Sequence, residues 1–219
     1  MGARRMSPEY RISFELPPDF REIPVGADMV ELTDDLRGRI GEDRVEDTDP
    51  VVLKQLLASY ARTSWQLAET GAYYAANCFG LIDEGRPSAA SLLISHQEVD
   101  CADPEIAVAG IIEIRRRGSD RRQLQRYELP CGPAAVEIEL DTPLLIPAAV
   151  SVTGADEPIP VATLQAWIPV PREADPKARS LTVVTFSTPS VQDWETYCPV
   201  VVELLRTVTF EPRGVTLRR

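Results

Sequence analysis

The sequence predicts an α+β protein, in which a mainly antiparallel β-sheet is flanked by two to three helices. Two observations predict this class. Capped amphipathic helical patterns occur at three places, and short apolar strands broken by proline and glycine fill much of the remainder. The elements run in the order two strands, a long helix, a hairpin, a helix, several strands and a final helix. No composition shift or fixed period divides the chain, so residues 1–219 are predicted to form a single domain.

The first element is predicted to be a hairpin, because apolar residues alternate with charged or small ones before a turn at residues 17–19. The alternating residues are Ile12, Phe14 and Leu16. The segment that follows, residues 26–48, is rich in acids and weakly patterned. It is predicted to be a connecting loop with room for one helical turn near Leu36.

A long amphipathic helix is predicted between Asp49 and Gly71. Asp49 is a good N-cap and Pro50 suits the first helical position. Its stripe consists of Leu53, Leu56, Leu57, Tyr60, Ser64 and Leu67. A hairpin of two strands, residues 72–81 and 87–96 with a turn at 83–85, follows and supplies a sheet for this stripe to cover.

Residues 104–117 are ambiguous between helix and strand, since Ile111, Ile112 and Ile114 suit either. The Asp103-Pro104-Glu105 start and the arginines near residue 117 favour a helix. Four short strands are then predicted to form an antiparallel meander, at residues 124–129, 134–140, 145–152 and 161–170.

The segment 181–210 combines an apolar strand with an amphipathic helix. Thr188 is predicted to cap that helix, with Pro189 at the first helical position. Its buried stripe is predicted to be Trp194, Tyr197, Cys198, Val201 and Leu205. Pro199 lies inside this pattern, and an interior proline costs roughly 3 kcal/mol, so a kink or two short helices are expected there. Residues 207–210 are predicted to return as an edge strand.

Composition limits the possible partners. The net charge is −11, which would repel a phosphate backbone, and only 6% of residues are aromatic, so nucleic-acid binding is not expected. The N-terminal sequence has no secretory apolar run and no stretch approaches the roughly 20 apolar residues of a membrane span. A cytoplasmic protein is therefore predicted. Lys54 and Lys177 are the only lysines among many arginines, which is typical of a high-GC, actinobacterial genome.

The four cysteines are widely spaced and are predicted to be isolated thiols in a reducing compartment. Cys78, Cys101, Cys131 and Cys198 form no C-x-x-C pair. Together with a single histidine they offer no metal-ligand pattern, so neither a metal nor a cofactor is predicted.

Catalytic motifs of the common hydrolases, nucleotide-binding proteins and zinc proteases are absent from the sequence. His96 is the only histidine and therefore the only base of the usual type for a thiol or serine nucleophile. Hairpin pairing makes Cys78 its nearest candidate partner. A cysteine-dependent hydrolase using a Cys78/His96 dyad is accordingly the alternative to a non-catalytic protein, and a structural role for both residues is favoured.

Two charged stretches are candidate interaction surfaces. A basic island comprises Arg115, Arg116, Arg117, Arg121, Arg122 and Arg126, and it could receive an anionic surface or a phosphate. Residues 28–49 contain nine acids and could complement it in a homo-oligomer. Solvated surfaces are the favoured interpretation of both. Trp65, Trp167 and Trp194 fall in amphipathic elements, and any exposed one becomes an interface candidate.

Three segments resemble a known family. FELPPDF at residues 14–20, ELPCGPAAVEIEL at 128–140 and the block at 181–210 are similar to actinobacterial proteins of the Mog1/PsbP-like (LpqN-type) α/β/α sandwich family. This resemblance implies an antiparallel sheet flanked by helices, used as a binding or accessory module. It carries no catalytic motif onto any residue of this chain, and the signal and lipobox of the lipoprotein relatives are missing here.

The predicted function is a non-catalytic, acidic, cytoplasmic module that binds another protein, in a secretion-accessory or immunity-type role. The enzyme alternative is the Cys78/His96 hydrolase. A second alternative is a small-ligand carrier with a cavity between the sheet and the long helix.

Overall fold

A computed structural model describes residues 10–82, 85–117, 123–146, 148, 153–176 and 179–212. These ranges contain five α-helices and nine β-strands. The helices are α1 (Met29–Ile40), α2 (Glu42–Asp47), α3 (Pro50–Glu69), α4 (Pro104–Arg116) and α5 (Trp194–Thr207). The strands are β1 (Tyr10–Ser13), β2 (Arg21–Glu22), β3 (Ala72–Ile82), β4 (Arg86–Glu98), β5 (Gln123–Leu129), β6 (Gly132–Ile146), β7 (Glu157–Pro169), β8 (Ser180–Thr188) and β9 (Thr209–Pro212).

The strands form two antiparallel sheets. Seven strands pair in the order β2-β3-β4-β8-β7-β6-β5, and β1 pairs with β9 in a separate two-stranded sheet. All of the pairings are antiparallel. The α+β class with a mainly antiparallel sheet is therefore confirmed, and the arrangement is consistent with a sandwich.

One face of the large sheet forms the main core with α5. Successive strand residues point to opposite faces, so the apolar residues at alternate positions of β4 and β8 meet the same helix. The core includes Leu92, Ile94, Val184 and Phe186 from the sheet and Tyr197, Val201, Leu204 and Leu205 from α5. The predicted stripe on α5 is thus correct at Tyr197, Val201 and Leu205, whereas Trp194 and Cys198 are only partly buried.

The opposite face carries the other helices. There α4 packs on β5, β6 and β7, and its Val108 contacts a second core cluster that contains Trp167 and Val183. At the other edge of the sheet, Arg39 of α1 donates to the Asn77 side chain at 3.1 Å, which places α1 over the β2–β3 edge. Helices thus cover both faces of the sheet.

Several predicted elements are confirmed. The helix α3 begins after Asp49, whose side chain accepts from the Val51 amide at 2.7 Å. The hairpin β3–β4 follows it, and residues 83–84 of its turn lie outside the described residues. The ambiguous segment after Asp103 is the helix α4, and Asp103 caps it through the Glu105 and Ile106 amides.

The predicted N-terminal hairpin is wrong. A turn does form, because the Phe20 amide donates to the Pro17 carbonyl at 3.0 Å. The two flanking strands, however, join different sheets: β1 pairs with β9, and β2 pairs with β3. Proline has no amide hydrogen, so the two prolines at residues 17 and 18 cannot donate to a ladder that would hold the flanks together.

The predicted connecting loop at residues 26–48 is also wrong, since most of it is helical. Asp28 caps α1 by accepting from the Val30 and Glu31 amides at 2.9 and 3.0 Å. Only Leu32 of α1 is fully buried, so the helix has almost no apolar stripe to reveal it in the sequence.

The prediction of two separate strands after residue 133 is wrong. The strands predicted at 134–140 and 145–152 are a single strand, β6, as far as Ile146, with a register shift between Glu139 and Thr142; residue 147 and residues 149–152 lie outside the described residues. Among the described residues, β5 pairs with β6 no further than Ile138, so Pro143 interrupts no described β5–β6 hydrogen bond.

The C-terminal helix starts later than predicted. Strand β8 extends to Thr188, a short 3-10 turn covers Val191–Asp193, and α5 begins at Trp194. Pro199 lies inside this one helix, so two short helices do not form. The predicted return strand is confirmed as β9.

Candidate binding surface

The predicted dyad is not assembled. Cys78 of β3 pairs with Ala90 of β4, whereas His96 lies six residues further along β4 and pairs with Thr182 of β8. At about 3.3 Å per strand residue, six residues separate the two by roughly 20 Å. A nucleophile and its base must lie within hydrogen-bond reach, so a Cys78/His96 hydrolase mechanism is contradicted by this geometry.

His96 is instead a connection between the two sheets. Its Nδ1 lies 2.8 Å from the hydroxyl of Tyr10, a buried residue of β1. Burial lowers the pKa of His96, although the nearby Glu98 carboxylate acts in the opposite direction. Burial also raises the pKa of the Tyr10 hydroxyl. Both groups are therefore neutral at pH 7 and serve the packing of β1 against the large sheet.

The four cysteines are free thiols, all partly buried. Burial raises the pKa of Cys78 and raises that of Cys131 to about 11. Because the thiolate is the nucleophilic form, neither environment activates its sulfur.

Three arginines of the basic island have carboxylate partners within the chain. Arg115 donates to Glu137 at 2.7 and 3.1 Å, and Arg126 donates to Glu105 at 2.9 Å. Arg117 pairs with Glu113 at 3.0 Å. Arg121 and Arg122 lie outside the described residues. In the described part of the chain, these three arginines thus already have carboxylate partners, which lowers the capacity of the island to bind an anion.

A concave surface lies where α1 begins, and we call it the acidic concave surface. It is lined by Pro24, Asp28, Val30, Glu31, Asp34 and Asp35. Asp35 accepts from Arg39 at 2.6 Å and from the Tyr60 hydroxyl, which ties α1 to α3. Burial, reinforced by the bond to Asp35, raises the pKa of Tyr60. Glu31 and Asp34 are exposed and make no ion pair with any other residue in the described ranges.

Trp65 borders this surface. Its Nε1 donates to the Ala27 carbonyl at 3.0 Å, while 46% of the residue remains exposed. Val30, on the surface itself, is 71% exposed. Val30 is therefore exposed among four carboxylates, and Trp65 is held partly exposed at Ala27, the residue before Asp28.

The segment that carries this surface is held rigidly against α3. The buried Ser64 hydroxyl donates to the Pro24 carbonyl, and the Gly26 amide donates back to the same hydroxyl at 3.0 Å. Gly26 has φ +69, and a Cβ there would lie 3.0 Å from the Ala68 Cβ. Glycine is needed at this position because a side chain would be both strained and crowded.

Sequence reasoning identified part of this surface. The acidic stretch was predicted as a candidate surface, and Trp65 fulfils the condition set for an interface tryptophan by being exposed. Trp167 is buried and Trp194 is partly buried. Pro24 and Val30 were missed, because α1 was predicted to be a loop. The spacing Asp28-x-x-Glu31 was the available signal, since an N-cap residue followed three positions later by an acid marks a helix start.

Other candidate sites have less to support them. The void between α5 and the sheet, lined by Phe20, Leu92, Phe186 and neighbouring residues, measures about 10 Å³, which is room for about one water. No group of three or more His, Cys, Asp or Glu in the described ranges is placed to hold a metal ion. Among the helices that the structure describes, none has the length and hydropathy to cross a membrane.

Comparison with solved structures finds a distant likeness. The crystal structure of LpqN, a protein involved in cell envelope biogenesis of Mycobacterium tuberculosis, matches with a TM-score of 0.44 and 11% sequence identity. The match covers 95% of this chain and 88% of LpqN. No protein-family model matches the sequence, and no curated protein does.

Proposed function

We propose that this protein is a non-catalytic accessory module that binds another protein through the acidic concave surface and Trp65. The observation that carries the proposal is the exposure of Val30 and Trp65 near Glu31 and Asp34, two carboxylates that form no ion pair within the described ranges. Tryptophan is enriched among the residues that dominate binding energy, and exposed apolar side chains beside charged ones are typical of such surfaces.

The partner that fits this surface presents basic side chains around an apolar contact. Glu31 and Asp34 would pair with the basic groups, while Val30 and Trp65 would bury the apolar one. Because the whole chain carries a net charge of −11, its field would also accelerate the approach of a basic partner. Binding should therefore weaken as salt is raised.

Two broader assignments belong to the same proposal. We assign the fold to the Mog1/PsbP-like, LpqN-type sandwich family, supported by the three similar segments and by an antiparallel sheet covered by helices on both faces. We place the protein in the cytoplasm, an assignment that the four free thiols support, since such thiols persist in reducing compartments.

A quantitative pull-down tests the proposal. The full chain, a Glu31→Lys/Asp34→Lys variant and a Glu195→Lys/Glu203→Lys control are immobilised and incubated with native lysate. The control changes the same number of carboxylates on exposed positions of α5, far along the chain from α1. We expect one basic protein to be retained in stoichiometric amount by the wild type and the control, and to be lost with the α1 variant and with Trp65→Ala.

Two outcomes would overturn the proposal. In the first, no stoichiometric partner is retained by the wild-type chain. In the second, the partner binds the α1 variant as well as it binds the wild type, which would place the recognition surface elsewhere.

A further inference from the structure

Thr182 carries a buried hydroxyl that has no hydrogen-bond partner among the described residues. The residue has no exposed surface, and it lies in β8 directly opposite His96 of β4. Directly opposite residues of an antiparallel pair have Cβ atoms about 5 Å apart, so the two side chains are neighbours. A buried hydroxyl without a partner costs free energy, because it has lost its bonds to water. Thr182 therefore places an unused acceptor beside an ionisable side chain.

The Tyr10 hydroxyl joins β1 to this pair of side chains. Its oxygen lies 2.8 Å from Nδ1 of His96. Burial raises the pKa of Tyr10, and the nearby hydroxyls of Ser180 and Thr182 act in the opposite direction. Although it is near, the Thr182 oxygen forms no hydrogen bond with Tyr10 in the present arrangement. The tyrosine hydrogen is therefore assigned to Nδ1, which is an acceptor in one tautomer of the neutral imidazole.

Protonation of His96 changes what this bond can be. Both ring nitrogens of the charged imidazole carry a hydrogen, so Nδ1 can only donate to the Tyr10 oxygen. The tyrosine hydroxyl must then direct its own hydrogen to another acceptor, because two hydrogens cannot lie between the same two atoms. A hydroxyl hydrogen rotates to suit its acceptor, and the Thr182 oxygen has both of its lone pairs unused.

Other titratable groups surround the three residues. On β4, the Glu98 carboxylate acts to raise the pKa of His96 against the stronger effect of burial. The Asp175 carboxylate, after β7, acts on Tyr10 through its charge. On β3, the Tyr73 hydroxyl lies near that of Thr182. A hydroxyl oxygen has two lone pairs, so Thr182 can accept from Tyr10 without excluding a bond from Tyr73.

We propose that the Thr182 hydroxyl is the alternative acceptor for Tyr10, and that protonation of His96 moves the tyrosine hydrogen from Nδ1 to the Thr182 oxygen. The proton taken up from solvent stays on the imidazole, and its Nδ1 hydrogen bonds to the Tyr10 oxygen. Each hydrogen keeps an acceptor in both states, so β1 stays attached to the large sheet. The three residues form a pH-dependent hydrogen-bond switch, in which Thr182 has a positioning role.

Titration of the imidazole signals by NMR tests the switch. His96 is the only histidine, so these signals report its protonation directly. Thr182→Val replaces the hydroxyl by a methyl group of similar volume. It should weaken proton binding to His96 about threefold or more, because the protonated state loses one hydrogen bond. Thr182→Ser keeps a hydroxyl at the same place and should bind the proton as the wild type does.

Two controls separate the switch from a general effect on the fold. Ser180→Ala removes the other hydroxyl near Tyr10 and should leave proton binding unchanged, since Ser180 lies opposite Glu98 and not opposite His96. Tyr10→Phe removes the hydrogen that moves. In the Tyr10→Phe background, Thr182→Val should therefore have no further effect on proton binding, and this double-mutant cycle measures the coupling between the two hydroxyls.

Amide hydrogen exchange tests whether β1 stays attached. Protection of the β1 amides is measured at pH 7.5 and pH 5.5 and corrected for the intrinsic effect of pH on exchange. In the wild type and in Thr182→Ser, acidification should change this protection little. In Thr182→Val it should fall more than in either, because the buried Tyr10 hydroxyl then has no acceptor when His96 is protonated.

The proposal is overturned if Thr182→Val binds the proton as tightly as the wild type, or if it weakens proton binding equally in the Tyr10→Phe background. An effect of Ser180→Ala as large as that of Thr182→Val would also overturn it, because the acceptor would then not be Thr182 alone. Loss of β1 protection in the wild type at pH 5.5 would contradict the continued attachment of β1. None of these outcomes depends on the acidic concave surface, so the two proposals fail separately.

Discussion

The guanidinium carbon of Arg115 lies 5.0 Å from the centre of the Trp167 ring. The Arg115 cation, on α4, therefore lies over the ring of Trp167, on β7. The same guanidinium donates two bonds to Glu137, whose side chain is only 3% exposed. One arginine thereby fixes α4 to two neighbouring strands. This fixed role explains why a residue predicted to belong to a binding island instead supports the fold.

Replacement of Arg115 should therefore destabilise the protein. Arg115→Ala leaves a buried carboxylate with its main cation removed and uncovers the Trp167 ring. We expect the free energy of unfolding to fall by about 2 kcal/mol, less than for a fully buried pair because about a third of the arginine side chain is exposed. Urea denaturation measures this change. Arg116→Ala, at an exposed neighbouring position, should alter stability by no more than about 0.5 kcal/mol, and an equal loss in both variants would contradict the argument.

Asp193 should contribute to stability down to acidic pH. It is buried and accepts a two-point bond from Arg86, which holds the pKa of its carboxyl below the usual range. Its contribution is present above the carboxyl pKa of the unfolded chain, near 4, and disappears as pH falls through the lower folded value. Asp193→Asn should cost about 2 kcal/mol at pH 7.

The control for Asp193 is Glu195→Gln, which removes an exposed carboxylate from the first turn of α5, directly after Asp193. Chemical denaturation at pH 7 and at pH 3 distinguishes the two. The cost of Asp193→Asn should shrink at pH 3, and a cost that is independent of pH would show that charge is not its source.

His96 should make stability depend on pH in a different range. Its pKa is lowered in the folded state, so the unfolded chain binds a proton at higher pH than the folded chain does. The contribution is fully present above the unfolded pKa of about 6.5 and is lost as pH falls below it. The stability advantage of the wild type over His96→Gln should therefore decrease between pH 7.5 and pH 5.5. An advantage that is constant or grows on acidification would contradict the assigned direction. Tyr10→Phe keeps the histidine but removes its hydroxyl partner, and it should retain a pH dependence of the same sign.

Leu32 should be the anchor of α1. It has no exposed surface, so Leu32→Ala should cost about 3 kcal/mol through lost burial and the cavity that it leaves. Val30→Ala, two residues earlier on the exposed side, should change stability by less than about 0.5 kcal/mol. Thermal denaturation of both variants checks this contrast. Equal midpoints for the two variants would mean that α1 is not packed as described.

Much of the fold was predictable where helix ends and apolar periodicity agree. The helix α3 has an Asp-Pro start, a continuous stripe and Gly71 at its end, so three independent signals mark it. The helix α1 has a cap but only one buried residue, and the apolar pattern that usually reveals a helix is missing. The periodicity of apolar residues reflects how much of a helix is buried. A helix that lies over the edge of a sheet buries few side chains, so its sequence lacks the apolar pattern that predicts a helix.

Long-range pairing was beyond the reach of local patterns. Strand β1 looks like half of a hairpin because a turn follows it, yet its partner is β9 at the other end of the described chain. Cys78 and His96 fall on adjacent strands as predicted, but the register separates them. The acidic concave surface required both α1 and its hydrogen bonds to α3, and neither follows from composition.

The pairing of β1 with β9 also decides how the protein responds to force. Tyr10 lies opposite Pro212 at one end of this two-stranded sheet, and Ser13 lies opposite Thr209 at the other. Tension applied at residues 10 and 212 would load one pair of hydrogen bonds at a time, so the small sheet would peel open like a zipper rather than resist in shear. Tyr10 also bonds to His96 of β4, so this contact with the seven-stranded sheet would be loaded together with the first pair. The two-stranded sheet would therefore separate before the strands of the seven-stranded sheet do.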